Sequence, residues 1–267
     1  MMKYPNCRNF SQAAFNNGGA EYRKYTHSVI IPNWKLSPDK LRRSINILSK
    51  NKRNVINADN MIPDNNEAIT LKRDHLILVP VTKTQNIKFF KNFYSEYNIR
   101  FFCDSNDDRN ECDYRSKYTY NTKTLVLKTK HMFDVVCNSD TRYKTYAKMN
   151  FDTIIDKNYM NGILKLASDN SDKLFFFGAF NSLFNSQYKN GRFYGLTDSL
   201  LRLYCSHKNN VPLHFSDDIW FGNVINHIHE RLISTAKNGV TLLSMNKNKI
   251  HHTSYIDAGI QFRLDKQ

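Results

Sequence analysis

Short apolar runs alternate with segments of helical periodicity along most of the chain. Residues 75–81 form a continuous apolar run, which is typical of a strand buried on both faces. Residues 98–103 are predicted to form a second strand, and between the two lie four apolar positions at helical spacing: Ile87, Phe90, Tyr94 and Tyr97. The order strand, helix, strand predicts a βαβ unit and therefore a parallel sheet.

The alternation continues towards the C-terminus. Further strands are predicted at residues 146–151 and 174–178. Four further helices are predicted from apolar positions: Leu125, Thr129, Met132, Phe133 and Val136; Tyr159, Ile163 and Leu166; Leu200 and Leu203; and Trp220, Val224, Ile228 and Leu232 after the N-cap residue Ser216. We therefore expect an α/β fold with a mostly parallel sheet flanked by helices, in which ligands bind at the carboxyl ends of the strands.

The first 74 residues differ in composition from the rest. They carry 13 basic and 6 acidic residues and four of the six prolines, with few long apolar patterns. One helix is predicted to open at Ser37 and Pro38. We interpret residues 1–74 as a basic, asparagine-rich, partly ordered arm and residues 75–267 as the main domain.

The amino-acid composition and net charge limit the classes of function that this protein can have. The 267 residues include 39 Lys and Arg against 24 Asp and Glu, a net charge of +15, which favours anionic partners such as nucleic acid, phosphates or sugar nucleotides. With 40% hydrophobic residues the chain can fill a core, so a fully disordered protein is excluded. No apolar run is long enough for a transmembrane helix, and the first residues lack the apolar segment of a secretory signal.

The five cysteines are odd in number and widely spaced. Because no CxxC pair occurs, a structural zinc site is not expected. Buried free thiols are the expected state, and a small loop closed by Cys103 and Cys112 stays open as an alternative.

Two clusters carry carboxylates next to predicted element ends. Asn150 and Asp152 follow a predicted strand, and alternate residues of an extended segment face the same way, so both can bind one divalent cation. Asp217 and Asp218 open the helix after Ser216, where paired carboxylates can hold and deprotonate a hydroxyl. Taken alone, the first pair favours an ordinary polar turn after a strand, and ordinary helix capping is the alternative for the second pair.

Two weaker candidates lie further along the chain. Residues 190–197 place two glycines around aromatic residues, which predicts either a loop that approaches a ligand or an ordinary turn. His251 and His252 are candidate ligands, although such a pair is more often surface or core. Walker, HExxH, GxSxG and GxGxxG motifs are absent, which counts against a P-loop nucleotidase, a zincin, an α/β hydrolase and a simple dinucleotide enzyme.

The order and spacing of several stretches are more specific than any one of them. The stretches are the opening βαβ segment; Glu111-Cys-Asp113-Tyr; Tyr120-Asn-Thr122-Lys-Thr124; the helix that ends at Cys137, followed by a strand with Lys148; Lys148-Met-Asn150-Phe-Asp152; Gly191 to Thr197; and Asp217-Asp218-Ile219 with Gly222. Over residues 75–255 this series resembles the β1,3-galactosyltransferase-like, Fringe-related enzymes of glycosyltransferase family thirty-one. The stretch from Lys148 to Asp152 stands where that family has Lys-x-Asp-Asp-Asp. The stretch from Asp217 to Gly222 stands where it has Glu-Asp-Val-x-x-Gly.

The resemblance implies a GT-A-type domain that transfers a hexose or N-acetylhexosamine from a UDP-sugar to a glycan or glycoprotein hydroxyl, with inversion and with Mn²⁺. It implies Asp218 as the base. It also implies roles near the donor, the metal and the substrates: Lys148, Asn150 and Asp152 at the donor; Asp152, Asn150 and His251 at the metal; Tyr194, Gly191, Asp217 and Trp220 at the substrates. It implies the Golgi lumen, whereas the lack of a visible signal or anchor leaves the cytoplasm open.

The main departure from the family lies in the metal motif. Asn150 and Phe151 stand where the family has its first two acids, so charge is lost at the cation and a weakened Mn²⁺ site is expected. A catalytically inactive glycan- or partner-binding protein on the same fold is therefore the alternative. A nucleic-acid-binding protein is the less favoured third hypothesis, and no nucleic acid is expected, because no RNA or DNA motif accompanies the basic charge.

Overall fold

A mostly parallel sheet of eight strands, with helices on both faces, organises the part of the chain that the structure describes. The computed structural model describes residues 55–62, 72–180, 189–214, 216–235 and 237–252, all within one compact unit. The strands are β1 (Val55–Asn57), β2 (His75–Pro80), β3 (Ile99–Cys103), β4 (Tyr114–Arg115), β5 (Thr145–Met149), β6 (Thr153–Ile155), β7 (Phe175–Phe180), β8 (Lys189–Thr197), β9 (Thr241–Met245) and β10 (Ile250–His252). The α-helices are α1 (Ile87–Phe93), α2 (Leu125–Cys137), α3 (Lys157–Asp169), α4 (Asp198–His207) and α5 (Asp217–Ser234). None of the helices in these ranges is long and apolar enough to cross a membrane.

The strand order shows how the chain is wound. The order is β1-β9-β7-β8-β5-β2-β3-β4, and within the described ranges β8 is the one strand that runs antiparallel to its neighbours in this sheet. Strands β6 and β10 form a separate antiparallel ribbon. From β2 the chain first adds β3 and β4 on one side and then β5 on the other, so the winding reverses between β2 and β5. Ligands of open α/β sheets bind at the carboxyl ends of strands at such a reversal.

Side chains of the strands alternate between two hydrophobic cores, one on each face of the sheet. In β2, Ile77 and Val79 pack with residues of α1 and α3, whereas Leu76 and Leu78 pack with residues of α2, α4 and α5. All four side chains are buried. The continuous apolar run at residues 75–81 therefore reflects a strand that is covered on both faces, as predicted.

Most elements predicted from periodicity are confirmed. The strands expected at 98–103, 146–151 and 174–178 are β3, β5 and β7, and the five expected helices are α1 to α5. Ser216 is the N-cap residue of α5, as expected, but its side chain makes no capping hydrogen bond. The α/β architecture with a mostly parallel, helix-flanked sheet is thus confirmed.

Residues 190–197 were expected to form a loop or turn, and this expectation is wrong, because they lie in β8. A Cβ on Gly195 would lie 2.2 Å from Cζ of Phe177 and 2.4 Å from the carbonyl oxygen of Tyr146. Phe193, on the same strand, is fully buried. The glycine therefore marks a close approach between packed strands, which in a sequence looks the same as a turn.

The predicted boundary at residue 75 comes too late. Residues 55–57 form β1, which pairs in parallel with β9 and so belongs to the main sheet. Ala58 follows it and is fully buried in the core. The other residues of the predicted arm, apart from 59–62 and 72–74, lie outside the described residues, and so does the helix predicted to open at Ser37.

Four cysteines form two disulfides, so the expectation of buried free thiols is wrong for them. Cys103 at the end of β3 bonds to Cys112, with Cα atoms 5.8 Å apart. Cys137 at the end of α2 bonds to Cys205 in α4, with Cα atoms 5.6 Å apart. The first closes the loop after β3, so the alternative of a small loop closed by Cys103 and Cys112 is confirmed. Cys7 lies outside the described residues.

We predict that these four cysteines resist alkylation in the unreduced protein, because each sulfur is already bonded to another. Peptide mass mapping of protein digested without reductant should recover two linked peptide pairs, Cys103 with Cys112 and Cys137 with Cys205. The same digest after reduction is the control and should show all four alkylated. Alkylation of these cysteines before reduction would contradict the pairing.

Candidate active site

Both predicted carboxylate clusters lie at the carboxyl edge of the sheet. Asn150 and Asp152 lie in the turn that follows β5. Asp217 and Asp218 are the first residues of α5. Gly191 lies near the start of β8, and because β8 is antiparallel, its start is at the edge where β5 ends.

Two neighbouring residues of β8 connect the clusters. The carbonyl oxygen of Arg192 accepts hydrogen bonds from the backbone N–H of Asn150 at 2.9 Å and from Oγ1 of Thr153 at 3.0 Å, and so fixes the turn after β5. A Cβ placed on Gly191 would lie 3.4 Å from Oδ2 of Asp218, so the carboxylate packs against this glycine. The metal-motif turn and the predicted base therefore flank the same two residues.

The third predicted metal ligand lies beside the same turn. Strand β10 pairs with β6 so that His251 is opposite Ile154, two positions along the chain from Asp152. His251 is exposed, whereas Asp152 and Asn150 are half-buried. The ribbon therefore brings an imidazole to the neighbourhood of the carboxylate and the amide.

The donor chemistry of these residues fits a weakly bound divalent cation. Asp152 offers a carboxylate, Asn150 an amide oxygen and His251 an imidazole, all of which Mn²⁺ accepts. Phe151, the middle residue of the motif, adds no donor. It is buried and stacks on Phe90, with ring centroids 4.9 Å apart, so it belongs to the core.

A second group of potential ligands does not fit a metal. Within the described ranges, Cys103, Asp107 and Cys112 are the one group of three cysteine, histidine or acidic side chains whose ligand atoms cluster. The two sulfurs are bonded to each other, so neither is a thiolate. Both carboxylate oxygens of Asp107 accept hydrogen bonds from Arg109, which hold the pKa of Asp107 below its usual range.

Lys148 and Asp217 form a buried ion pair. Nζ of Lys148 lies 2.6 Å from Oδ2 of Asp217, and Oγ1 of Thr129 donates to the same oxygen at 2.9 Å. Lys148 is fully buried and Asp217 is 6% exposed. Lys148 had been expected near the donor and Asp217 near a substrate. Both expectations are corrected, because each side chain is occupied by the other beneath the edge.

Tyr194 and Trp220 do not offer faces to a sugar ring, contrary to expectation. Tyr194 is 1% exposed and Trp220 fully buried. Both pack in the core under α5, where the ring of Phe221 lies 4.9 Å from that of Tyr194. The ring of Tyr194 also lies 5.4 Å from Nζ of Lys148. Tyr194 therefore packs beside the ion pair.

Asp218 is half-buried, and its two carboxylate oxygens differ in surroundings. Oδ1 accepts hydrogen bonds from Oγ of Ser216 and from the backbone N–H of Ile219, the latter at 2.9 Å. Oδ2 faces Gly191. Burial lowers the pKa of the neighbouring His214, and the charge of Asp218 opposes that effect. One oxygen is thus anchored by hydrogen bonds, and the other packs against Gly191 at the start of β8.

Sequence reasoning missed a second buried ion pair at this edge. Nζ of Lys128 lies 2.7 Å from Oδ1 of Asp104, directly after β3, and 2.5 Å from the carbonyl oxygen of Val81, directly after β2. Burial lowers the pKa of Lys128, and the hydrogen bond to Asp104 opposes that effect. Two features of the sequence could have indicated this pair. Asp104 opens the polar loop after the second predicted strand, and Lys128 directly precedes Thr129 on the predicted buried face of the following helix.

A cavity of about 200 Å³ lies elsewhere. It is lined by Leu76 and Arg100, near the amino ends of β2 and β3, together with Asp113, Tyr114, Val136, Ser139, Thr141 and Tyr143. The candidate carboxylates therefore do not line it.

Comparison with known proteins adds no identification. No protein-family model matches the chain, and no curated protein matches it significantly. The candidate site consequently depends on its own geometry.

We predict that Lys148→Met destabilises the fold by about 3–5 kcal/mol, because it leaves the carboxylate of Asp217 buried without its cation. Combining it with Asp217→Leu removes both charges and should recover most of that loss. Urea denaturation followed by circular dichroism measures both. Lys165→Met breaks an exposed ion pair with Asp169 and is the matched control, with an expected change under about 1 kcal/mol. A double variant no more stable than the single one would contradict the prediction.

Proposed function

We propose that this protein is a divergent inverting glycosyltransferase of the GT-A type. It transfers a hexose or N-acetylhexosamine from a UDP-sugar to a hydroxyl of a glycan or glycoprotein. The observation that carries the proposal is the convergence of Asp218 and the Asn150–Asp152 turn on Gly191 and Arg192 at the carboxyl edge.

The topology supports a nucleotide-sugar fold. A parallel α/β sheet whose winding reverses between β2 and β5 has its ligand site at the ends of those strands. The antiparallel β8 and the β6–β10 ribbon add polar groups to the same edge. This arrangement is compatible with a GT-A domain.

In the proposed reaction Asp218 acts as the base. Its carboxylate takes the proton of the acceptor hydroxyl while the hydroxyl oxygen attacks the anomeric carbon. The bond from that carbon to the diphosphate oxygen breaks, UDP leaves with the electron pair, and the configuration at the carbon inverts. A bound Mn²⁺ would supply positive charge to the diphosphate, with Asp152, Asn150 and His251 as the residues to hold it.

The ion pair of Lys148 and Asp217 supports the base without touching the reactants. It joins β5 to the first turn of α5, which also carries Asp218. A carboxylate on a helix end held in this way loses little freedom when the acceptor binds.

The disulfides bear on the compartment. Disulfides form and persist in oxidising compartments, whereas cytosolic thiols are kept reduced. The pairs Cys103–Cys112 and Cys137–Cys205 therefore favour the secretory lumen, and among its compartments the Golgi is the one that a glycosyltransferase assignment implies.

One observation favours a second candidate, an inactive glycan- or partner-binding protein on the same fold. Phe151 stands in the metal motif and is committed to the core, and Asn150 carries no charge, so Asp152 is the remaining carboxylate of that motif. Glycan binding together with the absence of donor hydrolysis and transfer in every assay would select this candidate.

We predict that UDP with Mn²⁺ raises the melting temperature. At one hundred times the dissociation constant the stabilisation is about 2.7 kcal/mol, which for a domain of this size corresponds to roughly 5–10 °C. Differential scanning fluorimetry measures the shift, and Asp152→Asn should reduce its Mn²⁺-dependent part. ADP with Mn²⁺ is the control for base specificity. A melting temperature unmoved by millimolar UDP and Mn²⁺ would refute donor binding.

We predict that Asp218→Asn lowers the transfer rate by at least about 100-fold, because an amide cannot accept the acceptor proton. The UDP-induced shift in melting temperature should be unchanged, since Asp218 is not assigned to the donor. Transfer of radiolabelled sugar to a glycan acceptor is the assay, with the exposed Asp169→Asn as control. Undiminished transfer in the Asp218 variant would remove it from the role of base.

A further inference from the structure

One aromatic ring at the carboxyl edge is exposed yet tightly held. Tyr118, in the segment between β4 and α2, is 59% exposed. Its ring stacks on His131, with centroids 5.5 Å apart and planes inclined by 28°. Tyr120 packs edge-on against it at 6.4 Å. One face of the Tyr118 ring is thus backed by an imidazole, while the residue as a whole is largely open to solvent.

Hydrogen bonds fix the backbone of this segment. The N–H of Tyr118 donates to Oγ of Ser116 at 3.0 Å, and its carbonyl oxygen accepts from the N–H of Ser105 at 3.0 Å. Thr119 and Ser105 share a hydroxyl hydrogen bond of 2.9 Å. An exposed aromatic ring that is backed and anchored in this way is preorganised for a planar ligand, because little freedom is lost on binding.

The supporting residue His131 is itself anchored. Its Nδ1 lies 2.5 Å from the hydroxyl of Tyr120, which also bonds to Oγ of Ser116 at 2.7 Å. The ring of Tyr120 lies 5.7 Å from Nζ of Lys128, the lysine that bonds to Asp104 and to the carbonyl oxygen of Val81. The aromatic group is therefore continuous with the ends of β2 and β3, and β2 is one of the two strands between which the winding of the sheet reverses.

The position along the edge indicates which planar ligand is expected. Strand β4 lies three places from β5 in the sheet, which at the usual strand spacing is about 14 Å. The Asn150–Asp152 turn follows β5, and Tyr118 follows β4. A nucleoside diphosphate whose phosphates lie at the turn would have its base near Tyr118 if it extended along the edge towards β4. The exposed Lys117 and Lys123 lie in the same segment as Tyr118 and give it positive charge, which favours an anionic nucleotide.

We propose that Tyr118 is the stacking platform for the base of the donor nucleotide, with His131 as the residue that positions its ring. The proposal rests on the proposed function, because it assumes a UDP-sugar donor. It adds a binding residue from the segment between β4 and α2, to which the sequence resemblance gave no role.

Two probes separate base stacking from phosphate binding. Isothermal titration with UDP and with pyrophosphate, each with Mn²⁺, is carried out on the whole chain. Tyr118→Ala should lower UDP affinity about 5- to 150-fold, the range typical of a lost base–aromatic stack, and leave pyrophosphate affinity within about twofold. Tyr118→Phe keeps the ring and should stay within about threefold for both probes. Tyr143→Ala, a tyrosine at the amino end of the sheet, is the matched control and should change neither.

Each of the other outcomes would refute either the stacking role of Tyr118 or the proposed function itself. If Tyr118→Ala binds UDP as tightly as the unchanged protein does, Tyr118 does not stack on the base, and the proposed function is unaffected. Equal losses for UDP and pyrophosphate indicate a general structural defect and also end the platform. If Tyr118→Ala loses affinity for an acceptor saccharide while its UDP affinity is unchanged, the ring contacts the acceptor and not the donor base. If the unchanged protein binds neither probe, the proposed function itself fails.

Discussion

The buried contact between Lys148 and Asp217 constrains the site more than any other interaction at the edge. It joins the middle of the sheet to the first turn of α5, and Thr129 connects it to α2. A charge in the interior is tolerated when it is paired and hydrogen-bonded, so these three elements must meet at fixed distances. Because Asp218 follows Asp217 directly, the direction of its carboxylate depends on the same contact.

The antiparallel β8 gives the edge its second constraint. In an all-parallel sheet the strand next to β5 would end there, whereas β8 starts there and brings Gly191 and Arg192 to the carboxylates. Gly191 is in contact with Asp218, and glycine at 195 leaves room for the ring of Phe177. One strand therefore contributes both to the core, through the close approach at Gly195, and to the site, through the contact at Gly191.

The sequence predicts the fold better than the site, and the reason is physical. Periodicity records burial, and burial determines β2, β3 and the five helices. It does not distinguish a glycine in a packed strand from one in a turn, so β8 was missed. Nor does it show whether a polar side chain near a strand end faces solvent or a partner, so Lys148 and Asp217 were expected at ligands although they bind each other. The pairing of Cys137 with Cys205 depends on how α2 and α4 pack, which local sequence does not contain.

The two outer strands of the sheet are short. Within the described residues, β1 has three residues and β4 has two. Long outer strands carry rows of unsatisfied backbone groups that can recruit strands from other molecules. In the part of the chain that the structure describes those rows are brief, so each outer strand offers few backbone groups to which a strand of another molecule could pair.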